Sequence, residues 1–207
     1  EAPYRQVDSD RYSLDPRCPE DYRRLLRDVC GETGECAGVV HLSSLDSTAG
    51  EQTTLESLSK DLVQATVSAT YLVQAIVRHG FRDAPRLFLV TRGAQSISPD
   101  EPIAVAQSPI HGLGKALVLE HPEIACRRID LAHVASEGDA EWIVAEMEGG
   151  DREDQVAIRG GTRYVARLVR GDVDLRRDDV LRIADGIALC AGRLGQVADA
   201  DGARVDE

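Results

Sequence analysis

Short apolar runs alternate with long amphipathic stretches through the chain, and this alternation restricts the fold more than any other feature. Residues 37–42 (AGVVHL), 87–91 (LFLVT) and 126–131 (CRRIDL) are too brief for buried helices; Gly and Ser bound the first, and Arg92-Gly93 stops the second. Each reads as a buried parallel strand, the first as an inner one. Between them, residues 54–80 place Leu55, Leu58, Leu62, Ala65, Ala69, Leu72, Val73 and Ile76 on one side of a long helix that Gly80 ends. The central stretch, 86–123, joins the second strand to a polar loop with Pro99 and Pro102. A helix-like segment, 104–120, follows; Pro109 and the Gly112/Gly114 pair interrupt it and His121-Pro122 closes it.

The flanks extend the pattern. Residues 2–7 read as a short strand and 8–17 as a polar connection. Pro19 opens a helix over 19–30 whose Tyr22, Leu25, Leu26 and Val29 form a buried face, and Gly31 stops it. Residues 140–147 are a further helix ended by Gly149-Gly150. QVAIR and TRYVARLV, joined by Gly160-Gly161, are two alternating runs about a tight turn, a hairpin over 155–169. The expected fold is α/β: a doubly wound parallel sheet with a C-terminal β-hairpin.

Composition narrows the function classes. The net charge of −12 disfavours nucleic acid and anionic membrane surfaces as partners. No apolar stretch approaches 18 residues and Glu1 opens no signal peptide, so no membrane span is expected, and the first residues look like the middle of a longer chain. The five cysteines (18, 30, 36, 126, 190) have no zinc spacing and read as reduced thiols of a cytoplasmic protein; no metal site is expected.

The chemical candidates are thin. HGLGKAL (111–117) lacks the first glycine and the hydroxyl residue of a phosphate loop, with Pro109 and Ala116 at those places, so the glycine pair reads as a close-packing device. Neither AGVVHLSS (37–44) nor LVTRGAQ (89–95) supplies a dinucleotide-binding glycine turn. His41 lies in an apolar strand and reads as a satisfied buried imidazole. Asp46 and Asp130 stand at strand ends, where a catalytic carboxylate could sit, although loop capping is the commoner fate. Residues 151–154 read as a solvated turn.

Four segments then carry a resemblance in order along the chain: GVVHLSSLD (38–46), LVQAIVRHGFRDAPRLFLVTRGAQ (72–95), VAQSPIHGLGKALVLEHPEIACRRIDL (105–131) and EDQVAIRGGTRYVARLVR (153–170). Together with YRQVDSDRYSLDP and PEDYRRLL, they resemble the structural, N-terminal subdomain of ketoreductase domains in modular type I polyketide synthases, over roughly residues 4–170. The resemblance implies a degenerate Rossmann-like subdomain of short-chain dehydrogenase type that binds no cofactor and braces a second half. That second half would carry NADPH and the catalytic Tyr, Ser and Lys.

The remainder, 171–207, resembles either a plain linker or a degenerate start of that catalytic half. Laid on the family's TGGLGGLG turn, residues 191–198 keep only Gly192 and Gly195, while Arg193, Gln196 and Ala198 fill space the phosphate would need. No Tyr follows Tyr164 and no Lys follows Lys115. The expectation is a non-catalytic structural subdomain (1–170) of a cytoplasmic synthase module, in the form of a truncated pseudo-ketoreductase, with no catalytic residues or cofactor of its own. Expected partners are a catalytic ketoreductase half, an adjacent enoylreductase or methyltransferase domain, and the module's acyl carrier protein. Two rivals are the N-terminal part of an active NADPH-dependent β-ketoacyl reductase completed outside this chain, and an independent small-molecule binding domain using the 43–52 and 93–102 loops.

Overall fold

A computed structural model describes residues 4–31, 34–48, 50–98 and 101–167, with three short strands further on at 180–182, 188–190 and 198–199. The elements in order are β1 (Arg5–Asp8), β2 (Arg11–Ser13), α1 (Pro19–Cys30), β3 (Gly38–His41), α2 (Leu55–Leu62), α3 (Ser68–His79), β4 (Arg86–Arg92), α4 (Ser108–Glu120), β5 (Arg127–Leu131), α5 (Asp139–Glu148), β6 (Gln155–Arg159), β7 (Thr162–Val165), β8 (Val180–Arg182), β9 (Ala188–Cys190) and β10 (Ala198–Asp199). The main sheet runs β10-β7-β6-β5-β4-β3, with β3 to β6 parallel and β7 folded back on β6. Gly160 and Gly161 both take positive φ (53° and 77°), as a two-residue primed turn requires.

Strand alternation divides the core. Leu87 and Leu89 of β4 face a cluster built with Tyr22, Leu26, Leu72, Ile76, Ile110 and Leu117, so α1, α3 and α4 cover that face. Phe88 and Val90 face the other way, joining Ile129, Leu131, Val156 and Ile158 under Trp142, Ile143 and Met147 of α5. The sheet is therefore wound on both sides. Strands β3, β4, β5 and β6 step in one direction, yet the helix between β5 and β6 lies on the opposite face from the two helices before it. The last crossover thus has the opposite hand to its predecessors. By the general preference for right-handed crossovers, β5–α5–β6 is the left-handed one.

Several expectations are corrected. The 37–42 run forms an edge strand among the described residues, not an inner one. Its apolar character comes from burial on both faces, with Val39 packed into one cluster and Val40 into the other, and face burial does not require two strand neighbours. Pro109 occupies the first turn of α4, where its missing N–H costs nothing, so it starts the helix and does not interrupt it. The polar connection after β1 contains β2, held by a Tyr4–Tyr12 stack.

The long helix is also not uniform. A π-helical turn, Val63–Val67, joins α2 to α3 and shifts the buried stripe, so Asp61 is enclosed while Leu55 is 85% exposed. Val29 is likewise turned to solvent, because α1 packs through Tyr22 and Leu26. No helix among the described residues is long and apolar enough to cross a membrane.

Candidate functional site at the carboxyl end of the sheet

In a parallel α/β sheet the strand carboxyl ends are the place for chemistry, because loops and helix N-termini converge there. Here that edge is organised by Asp130. Parallel pairing sets Asp130 of β5 directly beside Thr91 of β4, both fully enclosed. The Oδ1 of Asp130 accepts the Thr91 hydroxyl at 2.6 Å and the Ala94 N–H at 2.9 Å. Its Oδ2 accepts the Gln95 N–H at 3.1 Å and Arg159 Nη2 at 2.6 Å. Four donors saturate the lone pairs of a carboxylate.

Thr91 and Arg159 are equally committed, while Nδ1 of His111 is enclosed with no hydrogen-bond partner. The single Thr91 proton goes to Asp130, so the 2.9 Å contact between Thr91 Oγ1 and His111 Nε2 has the imidazole donating. Burial holds His111 neutral, lowering its pKa to about 4. Arg159 also donates to the backbone carbonyls of Asp130 (2.9 Å) and Gln95 (2.8 Å), and pairs with Glu101. Burial opposes the Arg159 charge, but Asp130 and Glu101 outweigh it and raise its pKa. Glu101 in turn accepts the Ile97 N–H at 2.8 Å, which ties the loop after β4 down over the strand ends.

Asp130 thus serves the loop-capping role, while Asp46 is exposed on a separate 3-10 turn. His41, at the end of β3, bonds through Nε2 to Ser68 Oγ at 2.7 Å, and burial lowers its pKa to about 4. The imidazole is buried as expected but only half satisfied, since its Nδ1 has no hydrogen-bond partner. The glycine pair of α4 splits in role. A Cβ at Gly114 would lie 2.4 Å from Cδ of Arg128, whereas one at Gly112 meets nothing within 4 Å. Only Gly114 is a close-packing device. Gly192 and Gly195 lie outside the described residues.

Sequence reasoning missed the ion pairs beneath this edge. Arg127 reaches Glu146 at 2.8 Å and Asp151 at 2.6 Å, Arg163 joins the same carboxylates, and Arg128 pairs with Asp154. The 151–154 turn is therefore an anchoring segment and not merely solvated. The signal for it was the Arg127-Arg128 pair inside an apolar strand, which demands nearby carboxylates. Among the described residues no cluster of three or more His, Cys, Asp or Glu could hold a metal.

The family model of the Rossmann fold domain of the polyketide synthase extender module SpnB matches residues 12–168. This chain belongs to that family. As an SpnB-type Rossmann domain it is 35% identical over 104 residues to a phenolphthiocerol/phthiocerol polyketide synthase protein of Mycobacterium tuberculosis, covering 50% of this chain and 5% of that protein. It is 38% identical over 114 residues to a second phenolphthiocerol/phthiocerol polyketide synthase protein from the same species, covering 55% and 7%. The chain thus spans a small fraction of the relatives it matches.

Among solved structures, a C2-type ketoreductase from a modular polyketide synthase superposes with TM-score 0.62 at 27% identity, covering 79% of this chain and 35% of that one. The fold alone is shared with a keto acid-selecting NRPS module containing adenylation, ketoreductase and pseudo Asub domains, at TM-score 0.70 and 20% identity, over 80% of this chain and 14% of that one. The SpnB-type domain is a ketoreductase-like Rossmann subdomain of a polyketide synthase.

Proposed function

We propose that this chain is the structural, non-catalytic half of a ketoreductase in a polyketide synthase module. It braces a neighbouring reductase or methyltransferase domain in the cytoplasm and works beside the module's acyl carrier protein. The observation that carries this reading is the saturation of Asp130. A general acid or base must exchange a proton with substrate. Asp130 and Thr91 are fully enclosed, with their capacity spent on Arg159, His111 and two loop amides. His111 keeps one unpartnered ring nitrogen but is itself only 4% exposed. On this reading the segment holds no cofactor, and NADPH belongs to a complete ketoreductase. Expressing the chain and the region that follows it in the parent as separate polypeptides tests the bracing role. Stable co-purification is expected. Full folding and ketoreduction by the following region alone would overturn it.

A second reading makes the chain the N-terminal part of an active NADPH-dependent β-ketoacyl reductase whose catalytic half lies outside it. The 27% identity to a C2-type ketoreductase, of which the chain covers 35%, favours it. The parent sequence beyond residue 207 separates the two. A glycine-rich strand–helix turn followed by a catalytic Tyr supports the second reading, and their absence removes it.

A further inference from the structure

We propose that the hollow between α1 and α3 is a phosphate-binding site. It has a volume of about 240 Å³ and is lined by Glu20, Arg23, Arg27, Ala75, Arg78 and His79. The balance of charge there runs against the rest of the molecule. The chain carries 36 acidic and 24 basic residues, yet three guanidiniums share this hollow with one carboxylate. Elsewhere the buried guanidiniums are each matched, as Arg92 is by Asp139, Arg128 by Asp154 and Arg159 by Asp130, whereas Arg23 and Arg27 are 41% and 55% exposed and share one carboxylate.

Glu20 is divided between Arg23 at 2.8 Å and Arg27 at 3.4 Å, and Arg78 has no carboxylate partner among the described residues. Two nitrogens enclosed at the hollow, Nε of Arg23 and Nε2 of His79, have no hydrogen-bond partner. Arg27 and Arg78 stand in last helical turns, where cations offset unpaired carbonyls. That preference explains two basic residues singly. It does not explain their convergence with Arg23 on one concavity, nor the orphaned nitrogens.

Guanidiniums offer forked donors that match phosphate oxygens. With the imidazole beside them, they surround a space suited to a tetrahedral oxyanion and the first atoms of its carrier. Glu20 is the built-in opponent, since its charge repels the same ligand. The phosphate could be free or esterified to a larger group, and the chemistry of recognition is common to both.

The test is titration of the full chain with inorganic phosphate and with methyl phosphate at constant ionic strength, followed by amide shifts on α1 and α3. Saturable shifts confined to those helices are expected. Tighter response to methyl phosphate assigns the site to an esterified group, and equal or weaker response to a free anion. Arg78→Ala, which breaks no pairing, is expected to weaken binding about tenfold, the loss of one charge-assisted hydrogen bond. Glu20→Gln is expected to tighten binding, an effect no loss of helix structure would produce. No saturable shift, an unchanged Arg78→Ala, or weaker binding in Glu20→Gln would overturn the assignment. So would a response to a glutamate-rich peptide stronger than to either phosphate, which would make the hollow an acidic-protein contact.

Discussion

Oδ2 of Asp130 and Nη2 of Arg159 lie 2.6 Å apart at the carboxyl end of the sheet, with Asp130 wholly enclosed and the Arg159 side chain 10% exposed. Such a pair is costly to break, because either charge left alone is buried without its counterion. Asp130→Ala is expected to lower unfolding free energy by about 3 kcal/mol or more, since it also frees the Thr91 hydroxyl and two loop amides. Replacing Asp130 and Arg159 together by leucine should cost less than the sum of the single changes. Urea denaturation of the three variants checks this.

The α4 glycines are expected to respond with opposite signs to the same substitution. Gly114→Ala drives a methyl group into the Arg128 stem, which the ion pair with Asp154 and a 3.0 Å bond to Gln155 hold in place. Overpacking of this kind costs about 1–3 kcal/mol. Gly112→Ala meets open space in a helix and should stabilise by about 0.5–1 kcal/mol. Thermal melts of the two variants decide between these outcomes.

Stability should fall as pH drops from about 6.5 toward 4. His41 and His111 have folded-state pKa values lowered to about 4 by burial, against 6.5 in the unfolded chain. Within that window the unfolded state binds more protons, so unfolding free energy rises with pH, by about 1.4 kcal/mol per pH unit for each histidine fully engaged. Above pH 6.5 their contribution is complete. Replacing His41 by Gln should flatten the pH dependence of the urea midpoint. An unchanged slope would show that this imidazole already titrates normally.

Cys126 is 4% exposed, and burial pushes its thiol up to about 12. A neutral-pH maleimide pulse on the native chain should leave the Cys126 peptide unmodified while labelling Cys18, which is only partly covered. Peptide mass spectrometry with and without urea reads the difference.

From α1 onward the order of strands and helices was legible because each segment repeats its own period and most helices end in Gly or Pro. The edge position of β3 was not, since an apolar run reports buried faces and is silent about strand neighbours. Nor was the hand of the β5–α5–β6 crossover, because the same amphipathic pattern suits a helix on either face. The π-helical turn escaped for a local reason: Val63–Val67 has ordinary helix composition, and its shift of phase appears only in which residues it buries.

At the site, Asp130 was visible as a candidate by its place at a strand end. Its partners were not, because Arg159 arrives from β6 and His111 from α4, and only the packed sheet brings them together. The resemblance to ketoreductase subdomains supplied what periodicity could not, and the family match over residues 12–168 bears it out.

The most direct test of the central claim is calorimetric titration of NADPH into the full 207-residue chain. If the strand ends are closed by Thr91, His111, Asp130 and Arg159, no saturable heat is expected up to millimolar cofactor. Binding in the micromolar range would contradict a purely structural role and return this edge of the sheet to the status of a cofactor site.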